Sequence, residues 1–487
     1  MEQVVKKKKS FFHDLSWYML GAMIPMLLNL FKTPIFTRHY TTEDFGYLGL
    51  VMTTFGYLST ISFSWLASCI WRYYNEFKKR IGLHVLYSNI LFLFILSSFL
   101  ILILTLIMLT IFHYKEMDFI VLKLTFLAFL HFCTKELLAL YMVTVRIKGF
   151  ARTYNYLLIL QVFLAFALLL LFAFVLKMDI SSMILSSLLI DCCIILVLVI
   201  RLIKNRQLKS ISLKFVSRRV TKIMFSYGSV TLVASLFLML IVSSDRYIIA
   251  MYDTISNVGI YTKVYDISQL SIMAFAFVYF NTINPRMIKE LTYNFQNADN
   301  LLVKYLYAFL FFGIPVTALS SIYSKEIVQI LLGEDFRPGY IIMPSVFFSA
   351  LISGLVKFYE NKLKFANKTL FIARIFGISL MMNLLMNFLF VPKFGYIAAA
   401  YSTLVTYIFI LVCFLRNDSM SFFKRKDYLK DILIVVILMA LFWLADTELR
   451  KLFAFNLTYA ILEGILFMGI FVVIFYKKIK KLDLPID

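Results

Sequence analysis

Long apolar runs fill most of this chain, and short polar segments separate them. An α-helix needs about 20 apolar residues to cross the roughly 30 Å hydrocarbon core of a bilayer. The runs therefore predict an all-α, polytopic membrane protein with about 14 transmembrane helices, of which the thirteenth is short. The predicted spans lie near residues 15–36, 46–70, 84–112, 119–145, 154–176, 180–203, 223–250, 264–283, 301–323, 338–358, 369–391, 394–415, 431–445 and 452–476.

Lysine and arginine are distributed unequally between the two sides of this layout. With the N-terminus placed in the cytoplasm, the segments on that side contain 34 Lys and Arg residues, and the opposite segments contain 9. Cytoplasmic loops of membrane proteins carry such an excess of positive charge. We therefore predict that both termini are cytoplasmic. The basic N-terminal arm has no small-residue cleavage site after a short apolar core, so we expect it to be retained.

The longest predicted cytoplasmic connection divides the spans after the sixth. It covers 204–222 and is strongly basic, so we assign it as a cytoplasmic linker. The six spans before it form an N-terminal lobe over 1–203, and the next six form a C-terminal lobe over 223–416. Residues 417–487 add a further pair of spans and a cytoplasmic tail.

The two predicted lobes resemble each other where their first span ends. Span one ends with the polar segment 37–40, and span two opens at 45–47. Span seven ends at 245–247, and span eight opens at 259–261. Each half thus has Arg followed closely by Tyr, then a turn and a glycine. Six spans return the chain to its starting side, so the copies would have parallel topology, as in some secondary transporters.

Composition excludes several classes of protein. The chain is 62% hydrophobic and 16% charged, whereas about a quarter of the residues in a soluble chain are charged. The net charge of +22 would suit nucleic-acid binding, but the basic residues are dispersed in short loops where topology explains them. The five cysteines lie inside apolar runs, and the histidines follow no metal-binding motif. We therefore predict no nucleic-acid partner, no disulfide framework and no metal site.

Two prolines interrupt the first predicted span. Proline removes a backbone donor and kinks a helix. Pro25 and Pro34 therefore make span one the best candidate for an element that bends during function. Static kinks that only serve packing are the alternative interpretation.

Three stretches of the chain carry a pattern found in one family of transporters. Residues 20–50 form an opening helix followed by an acidic-Phe-Gly turn, and residues 243–268 contain SSDRYII and NVGIYTKVYDIS. Residues 333–406 combine a helix with two asparagines, a proline turn, a glycine and a run of small residues. These stretches, within about 15–415, resemble the Wzx-like polysaccharide flippases of the multidrug/oligosaccharidyl-lipid/polysaccharide exporter superfamily, which transport O-antigen or capsule repeat units.

The resemblance implies two six-helix lobes around a cationic central cavity that opens alternately to either side of the membrane. It implies transfer of an undecaprenyl-pyrophosphate-linked oligosaccharide from the inner to the outer leaflet of the bacterial cytoplasmic membrane. The expected partners are this polyprenyl-linked oligosaccharide, membrane lipid and other polysaccharide-assembly proteins. The resemblance implies no cofactor beyond a coupling ion, H⁺ or Na⁺.

Four basic residues in or near the spans are candidates for substrate binding. Arginine binds phosphate oxygens in a bidentate fork, and a pyrophosphate carries at least two negative charges. Cations at different depths would provide successive contacts for a head group that crosses the bilayer. Snorkelling to the interface, or contact with lipid phosphate, is the alternative for each. The candidates are Lys32, Arg38, Arg246 and Arg374.

A second set of charges is a candidate for gating or coupling. Lys135, Glu136 and Asp191 lie near the middle of their spans, where a charge costs roughly 2.5–3.5 kcal/mol on insertion scales. We predict that Lys135 pairs with Asp191 across helices, in either a structural or a coupling role. Asp245 would repel an anionic head group, so we expect it to orient Arg246 or to serve a gate.

Two other functions remain open from the residues alone. A cation-coupled multidrug or small-solute antiporter would have the same fold, and lipid II transport is a related alternative. A membrane glycan polymerase or glycosyltransferase would need an external loop large enough to form a site. The acidic pairs at 43–44 and 334–335 lie in loops too short for this. We therefore predict a transporter rather than an enzyme.

Overall fold

The structure is a computed structural model that describes residues 21, 23–204, 211–293, 298–366, 368–417, 425–452 and 457–481. Within these ranges the regular secondary structure is entirely helical, with no strand. The predicted all-α fold class is confirmed. The described residues form two compact units, one ending at Gly259 and the other beginning at Ile260. The lobe boundaries deduced from the linker divide the chain differently and stay a prediction.

The N-terminal unit contains nine helices and the first residues of a tenth among the described residues. A π-helical turn, Leu171–Val175, follows α6, and a 3₁₀ turn, Leu213–Phe215, precedes α8. The helices are α1 (23–37), α2 (Thr42–Ser62), α3 (Ser64–Arg80), α4 (Leu83–Tyr114), α5 (Phe119–Ile147), α6 (Ala151–Leu170), α7 (Ser182–Lys204), α8 (Arg218–Ser243), α9 (Asp245–Tyr252) and α10 (Ile255–Tyr293).

The C-terminal unit contains the rest of α10 and six further helices among its described residues. Its core is aromatic: the ring of Phe309 lies 5.5 Å from that of Phe275 and 5.7 Å from that of Phe358, measured between centroids. A 3₁₀ helix, Glu334–Ile342, precedes α13. The helices are α11 (Ala298–Ile322), α12 (Ser324–Leu331), α13 (Met343–Phe365), α14 (Thr369–Asn417), α15 (Lys426–Leu452) and α16 (Leu457–Lys481).

Eleven helices of the described chain are long and apolar enough to cross a membrane. The predicted number of 14 spans is therefore still a prediction. One of the eleven, α14, has 49 residues and would be about 73 Å long if straight, more than twice the thickness of the hydrocarbon core. It is broken at Gly395, which has φ 59° and ψ −152°. This break separates the two spans predicted at 369–391 and 394–415.

Two segments differ in detail from the predicted layout. The span predicted at 46–70 covers α2 and the first part of α3, which are separated at Phe63. The connection between the spans predicted at 301–323 and 338–358 contains α12 and part of the following 3₁₀ helix. Glu326 and Val328 of α12 are buried, so this segment packs into the unit.

Candidate functional site

A polar cavity of about 200 Å³ lies within the N-terminal unit. Its walls come from α1, α5, α6 and α7. The apolar part of the lining is typical of a membrane helix bundle, but the polar part is not, because polar groups inside a membrane are costly and mark functional sites. The polar lining residues are Asn29, Lys32, His131, Lys135, Gln161, Ser187 and Asp191.

The carboxylate of Asp191 is fully buried at one wall of this cavity. The Nε2 atom of Gln161 donates to its Oδ1 at 2.6 Å. The Nδ1 atom of His131 lies 3.5 Å from Oδ2, and neither of these two atoms has a hydrogen-bond partner among the described residues. A proton shared by His131 and Asp191 would satisfy both atoms. The pair is therefore suited to bind and release a proton.

Lys32 and Lys135 line the same cavity from α1 and α5. The structure thus brings together one predicted substrate cation, Lys32, and two predicted coupling residues, Lys135 and Asp191. The Nζ atom of Lys135 lies 5.1 Å from the ring centroid of Phe132. The direct partners of Asp191 are Gln161 and His131, so the structure does not show the predicted direct ion pair between Lys135 and Asp191.

Glu136 points to a different neighbour from Lys135. Its Oε1 atom accepts a hydrogen bond of 2.7 Å from Ser59 of α2, and it does not line the cavity. Adjacent residues on a helix point about 100° apart, which explains the separation. In this structure Glu136 joins α5 to α2.

Asp245 and Arg246 lie at a second polar position, where α8 ends and α9 begins. Asp245 is fully buried, and its Oδ1 accepts from the backbone N–H of Arg246 at 2.9 Å. The guanidinium of Arg246 donates from Nη1 to Thr53 Oγ1 at 3.0 Å. Asp245 therefore contacts the backbone of Arg246, and Thr53 of α2 positions the side chain of Arg246.

Further hydrogen bonds between hydroxyl groups connect α2 to the end of α8 and the start of α9. Thr54 bonds to the hydroxyl of Tyr247. Ser243 donates to the hydroxyl of Tyr57 at 3.0 Å, and the rings of Tyr57 and Tyr247 stack with centroids 6.1 Å apart. The sequence reasoning missed these α2 residues and also Gln161. For α2 the sequence did contain a signal, because the hydroxyl residues Thr53, Tyr57 and Thr60 share one face of the helix.

The glycines of the predicted repeat form a reciprocal contact. A Cβ at Gly46 would lie 2.1 Å from the carbonyl oxygen of Ile255, and a Cβ at Gly259 would lie 1.8 Å from that of Thr42. Both helices are also capped alike: Thr41 accepts from the N–H of residue 44, and Thr254 accepts from the N–H of residue 257. The two openings of the repeat thus have equivalent local structure, and only glycine allows the backbones this close.

The other predicted substrate cations lie outside the cavity. Arg38 is exposed after α1, and its Nη1 donates to the carbonyl of Pro34 at 2.8 Å. Arg374 is exposed on α14 in the C-terminal unit. The prolines of span one, Pro25 and Pro34, both lie within α1.

Two buried asparagines form a polar contact between the parts of α14 on either side of Gly395. Asn387 Nδ2 donates to Asn383 Oδ1 at 3.2 Å, and Asn383 Nδ2 donates to Thr406 Oγ1 at the same distance. Hydrogen bonds between helices stabilise packing inside a membrane. These hydrogen bonds therefore hold together the two parts of α14 on either side of Gly395.

Comparison with protein families places these features in context. Residues 11–291 match the family described as Polysaccharide biosynthesis protein. The chain belongs to this family. The resemblance to Wzx-like flippases is confirmed by this match and by the fold. No curated protein matches the chain.

Solved structures show which fold this member of the family has. Lipid II flippase MurJ, in an inward closed conformation, has a TM-score of 0.67 at 17% identity, over 96% of this chain and 99% of MurJ. An inward-facing multidrug resistance MATE family transporter of the MOP superfamily has a TM-score of 0.59 at 13% identity, over 84% of this chain and 99% of its own. A mutant of the Vibrio cholerae MATE transporter VcmN has a TM-score of 0.55 at 12% identity, over 87% and 100%. The chain therefore has the fold shared by MurJ and MATE transporters.

Proposed function

We propose that this protein is a flippase for a polyprenyl-pyrophosphate-linked oligosaccharide. It would move this repeat unit of an O-antigen or a capsule from the inner to the outer leaflet of the bacterial cytoplasmic membrane by alternating access. The observation that carries the proposal is the polar cavity, in which two lysines lie among the membrane helices of a polysaccharide biosynthesis protein. The similar fold of MurJ, whose name states that it is a lipid II flippase, supports it.

The substrate's phosphates would complement the ammonium groups that line this cavity. Its described lining has two ammonium groups, Lys32 and Lys135, and one carboxylate, Asp191. A pyrophosphate would form charge-assisted hydrogen bonds with the lysines, which are stronger than neutral ones. Arg38, Arg246 and Arg374 would contact the phosphates at other stages of the passage. Bending of α1 at Pro25 and Pro34 would change the access to Lys32, which lies between them.

Coupling to a proton gradient would use Asp191 and His131. A proton bound by this pair neutralises the carboxylate and leaves the two lysines to attract the substrate. Loss of the proton restores a negative charge that competes with the phosphates for the lysines. Because the imidazole nitrogen of His131 lies 3.5 Å from the carboxylate of Asp191, we propose H⁺ as the coupling ion at this cavity.

The test is export of the glycan by cells that lack the chromosomal gene. Cells that express Lys32→Gln together with Lys135→Gln should accumulate lipid-linked repeat units, because the phosphates lose both ammonium partners. The expected fall in surface polysaccharide is at least about tenfold, as charged hydrogen bonds contribute about 1.5–3 kcal/mol each.

A matched control removes the same charge elsewhere in the N-terminal unit. Lys115 and Lys177 are exposed in loops between helices, so the double change Lys115→Gln and Lys177→Gln should leave export unchanged. Immunoblots of the membrane fraction must show equal amounts of both variants. Normal export by the cavity variant would contradict the proposed role of the cavity.

A cation-coupled antiporter of small solutes is the second candidate. The MATE-like fold favours it. Expression in a host that is sensitive to toxic organic cations distinguishes the two functions. Resistance to these compounds without any effect on lipid-linked repeat units would favour the antiporter, and the opposite result would favour the flippase.

A further inference from the structure

The segment before α8 is held firmly against α4. Asn89 is fully buried, and its Nδ2 donates to the carbonyl of Phe215 at 3.0 Å while its Oδ1 accepts from the N–H of Ser217 at 2.9 Å. Ser88 Oγ accepts from the N–H of Ser212 at 3.1 Å. One buried amide thus binds an acceptor in the 3₁₀ turn and a donor two residues after it, which ties the backbone of this segment to α4.

The fixed turn presents an apolar side chain to the outside. Leu213 is 74% exposed and Phe215 is 40% exposed, although the backbone between Ser212 and Ser217 is bound to α4. The ring of His84 packs edge-on against Phe215, with centroids 4.6 Å apart. Transfer of this exposed leucine side chain from water into an apolar phase would lower the free energy of the protein. Since this turn lies directly before the membrane helix α8, the hydrocarbon core of the bilayer is the apolar phase within reach.

Basic residues occur in the same segment as this leucine and at the end of α3. The turn and the start of α8 contribute three exposed cations, and the last turn of α3, which leads directly into α4, contributes three more. Within the described part of the chain none of them forms an ion pair, although Glu76 is exposed on α3. The cations are Lys78, Lys79, Arg80, Lys214, Arg218 and Arg219. Cations beside an inserted apolar residue are the combination that binds anionic lipid.

We propose that this basic turn, defined as residues 211–219 with 78–80, is a binding site for anionic phospholipid. The phosphate head group contacts the Lys and Arg side chains, and Leu213 inserts among the acyl chains. A free phosphate would satisfy the cations but would leave Leu213 in water, so the exposed leucine favours a lipid. The site concerns the protein's own membrane and does not depend on which substrate the protein transports.

The test measures lipids retained by the purified full-length protein. Native mass spectrometry from micelles with equal amounts of phosphatidylglycerol and phosphatidylcholine should show preferential retention of phosphatidylglycerol. Lys214→Gln with Arg218→Gln should weaken this retention roughly 25-fold, because each cation near an anionic surface contributes a factor of roughly five. Leu213→Ser should also weaken it, with no change in charge.

The matched control again removes the two loop lysines, by Lys115→Gln with Lys177→Gln, and should retain phosphatidylglycerol like the unaltered protein. Excess glycerol phosphate should not displace the lipid, because it has no acyl chain. Equal retention of both lipids by the unaltered protein would overturn the proposal. So would an equal loss in the control, an unaffected Leu213→Ser variant, or displacement by glycerol phosphate.

Discussion

Asp191 in the N-terminal unit and Asp446 in the C-terminal unit are both buried carboxylates on membrane helices, but their neighbours differ. Asp446 is bound by the guanidinium of Arg450, with Nε 2.7 Å from Oδ2, and Arg450 Nη1 also lies 2.6 Å from Glu326. The direct contacts of Asp191 are an amide and an imidazole.

A guanidinium compensates the charge of a buried carboxylate, whereas an amide compensates only part of the cost of burying it. The Arg450 cluster also joins α15 to α12. A similar contact holds the other end of α15, where Asp431 binds Lys478 and accepts from Tyr307. We infer that the carboxylates on α15 serve stability and that Asp191 serves transport.

The largest effect on stability should follow from Arg450→Ala. This change leaves Asp446 and Glu326 buried near each other without their cation, which costs about 3 kcal/mol or more. The melting temperature of the detergent-solubilised protein should fall clearly. Lys451→Ala is the control, since Lys451 pairs with Glu448 and both side chains are more than 60% exposed. Exposed pairs contribute about 0–1 kcal/mol, so equal shifts for the two variants would contradict this interpretation.

Asp191→Asn should separate stability from transport. Asparagine retains an oxygen that accepts from Gln161 and removes the desolvation cost of a charge, so we expect a stability within about 1 kcal/mol of the unaltered protein. Export of glycan should nevertheless be lost, because the proton site is gone. Melting temperature and surface polysaccharide are measured on the same variant. If the protein melts as early as Arg450→Ala, then Asp191 is also a structural residue.

The smallest expected effect on stability concerns Asp179, a carboxylate outside the predicted spans. Burial by itself would raise the pKa of Asp179, but hydrogen bonds from Lys123 and Ser181 outweigh it and lower the pKa below its usual 3.8. Lys123 Nζ lies 2.7 Å from Asp179 Oδ2. A lowered pKa in the folded state stabilises the fold above the unfolded-state pKa, and this stabilisation is lost as the pH falls through the folded pKa.

Asp179→Asn should therefore lower the melting temperature slightly at pH 7 and have no effect once the pH falls below the folded pKa. The shift should be small because 44% of the Asp179 side chain is exposed. The measurement is the melting temperature of both proteins as a function of pH. Asp335→Asn, at an exposed position, is the control for the loss of a surface carboxylate. A shift that stays constant with pH would exclude the ion pair as its cause.

The sequence identified individual candidate residues, but it did not predict which side chains they contact. Lys32, Lys135 and Asp191 were recognisable because charges in apolar runs are rare, and they line one cavity. The partner of Asp191 was expected to be Lys135, but the structure places Gln161 and His131 against it. Arg246 was recognisable in the same way, whereas its contact with Thr53 was not.

The predicted repeat shows a similar division. The glycine after each turn was visible in the sequence at Gly46 and Gly259. The sequence did not show that each glycine packs against the backbone of the other glycine's helix. Such a close approach depends on how α2 and α10 are placed relative to each other.

The sequence by itself determined the all-helical class and the polytopic character, and its motifs identified the family. These features depend on local properties, since each apolar run partitions into the bilayer on its own. Only the tertiary structure decided which polar groups meet. A membrane helix is apolar on nearly every face, so its sequence restricts its rotation and depth very little, and packing against neighbouring helices determines both.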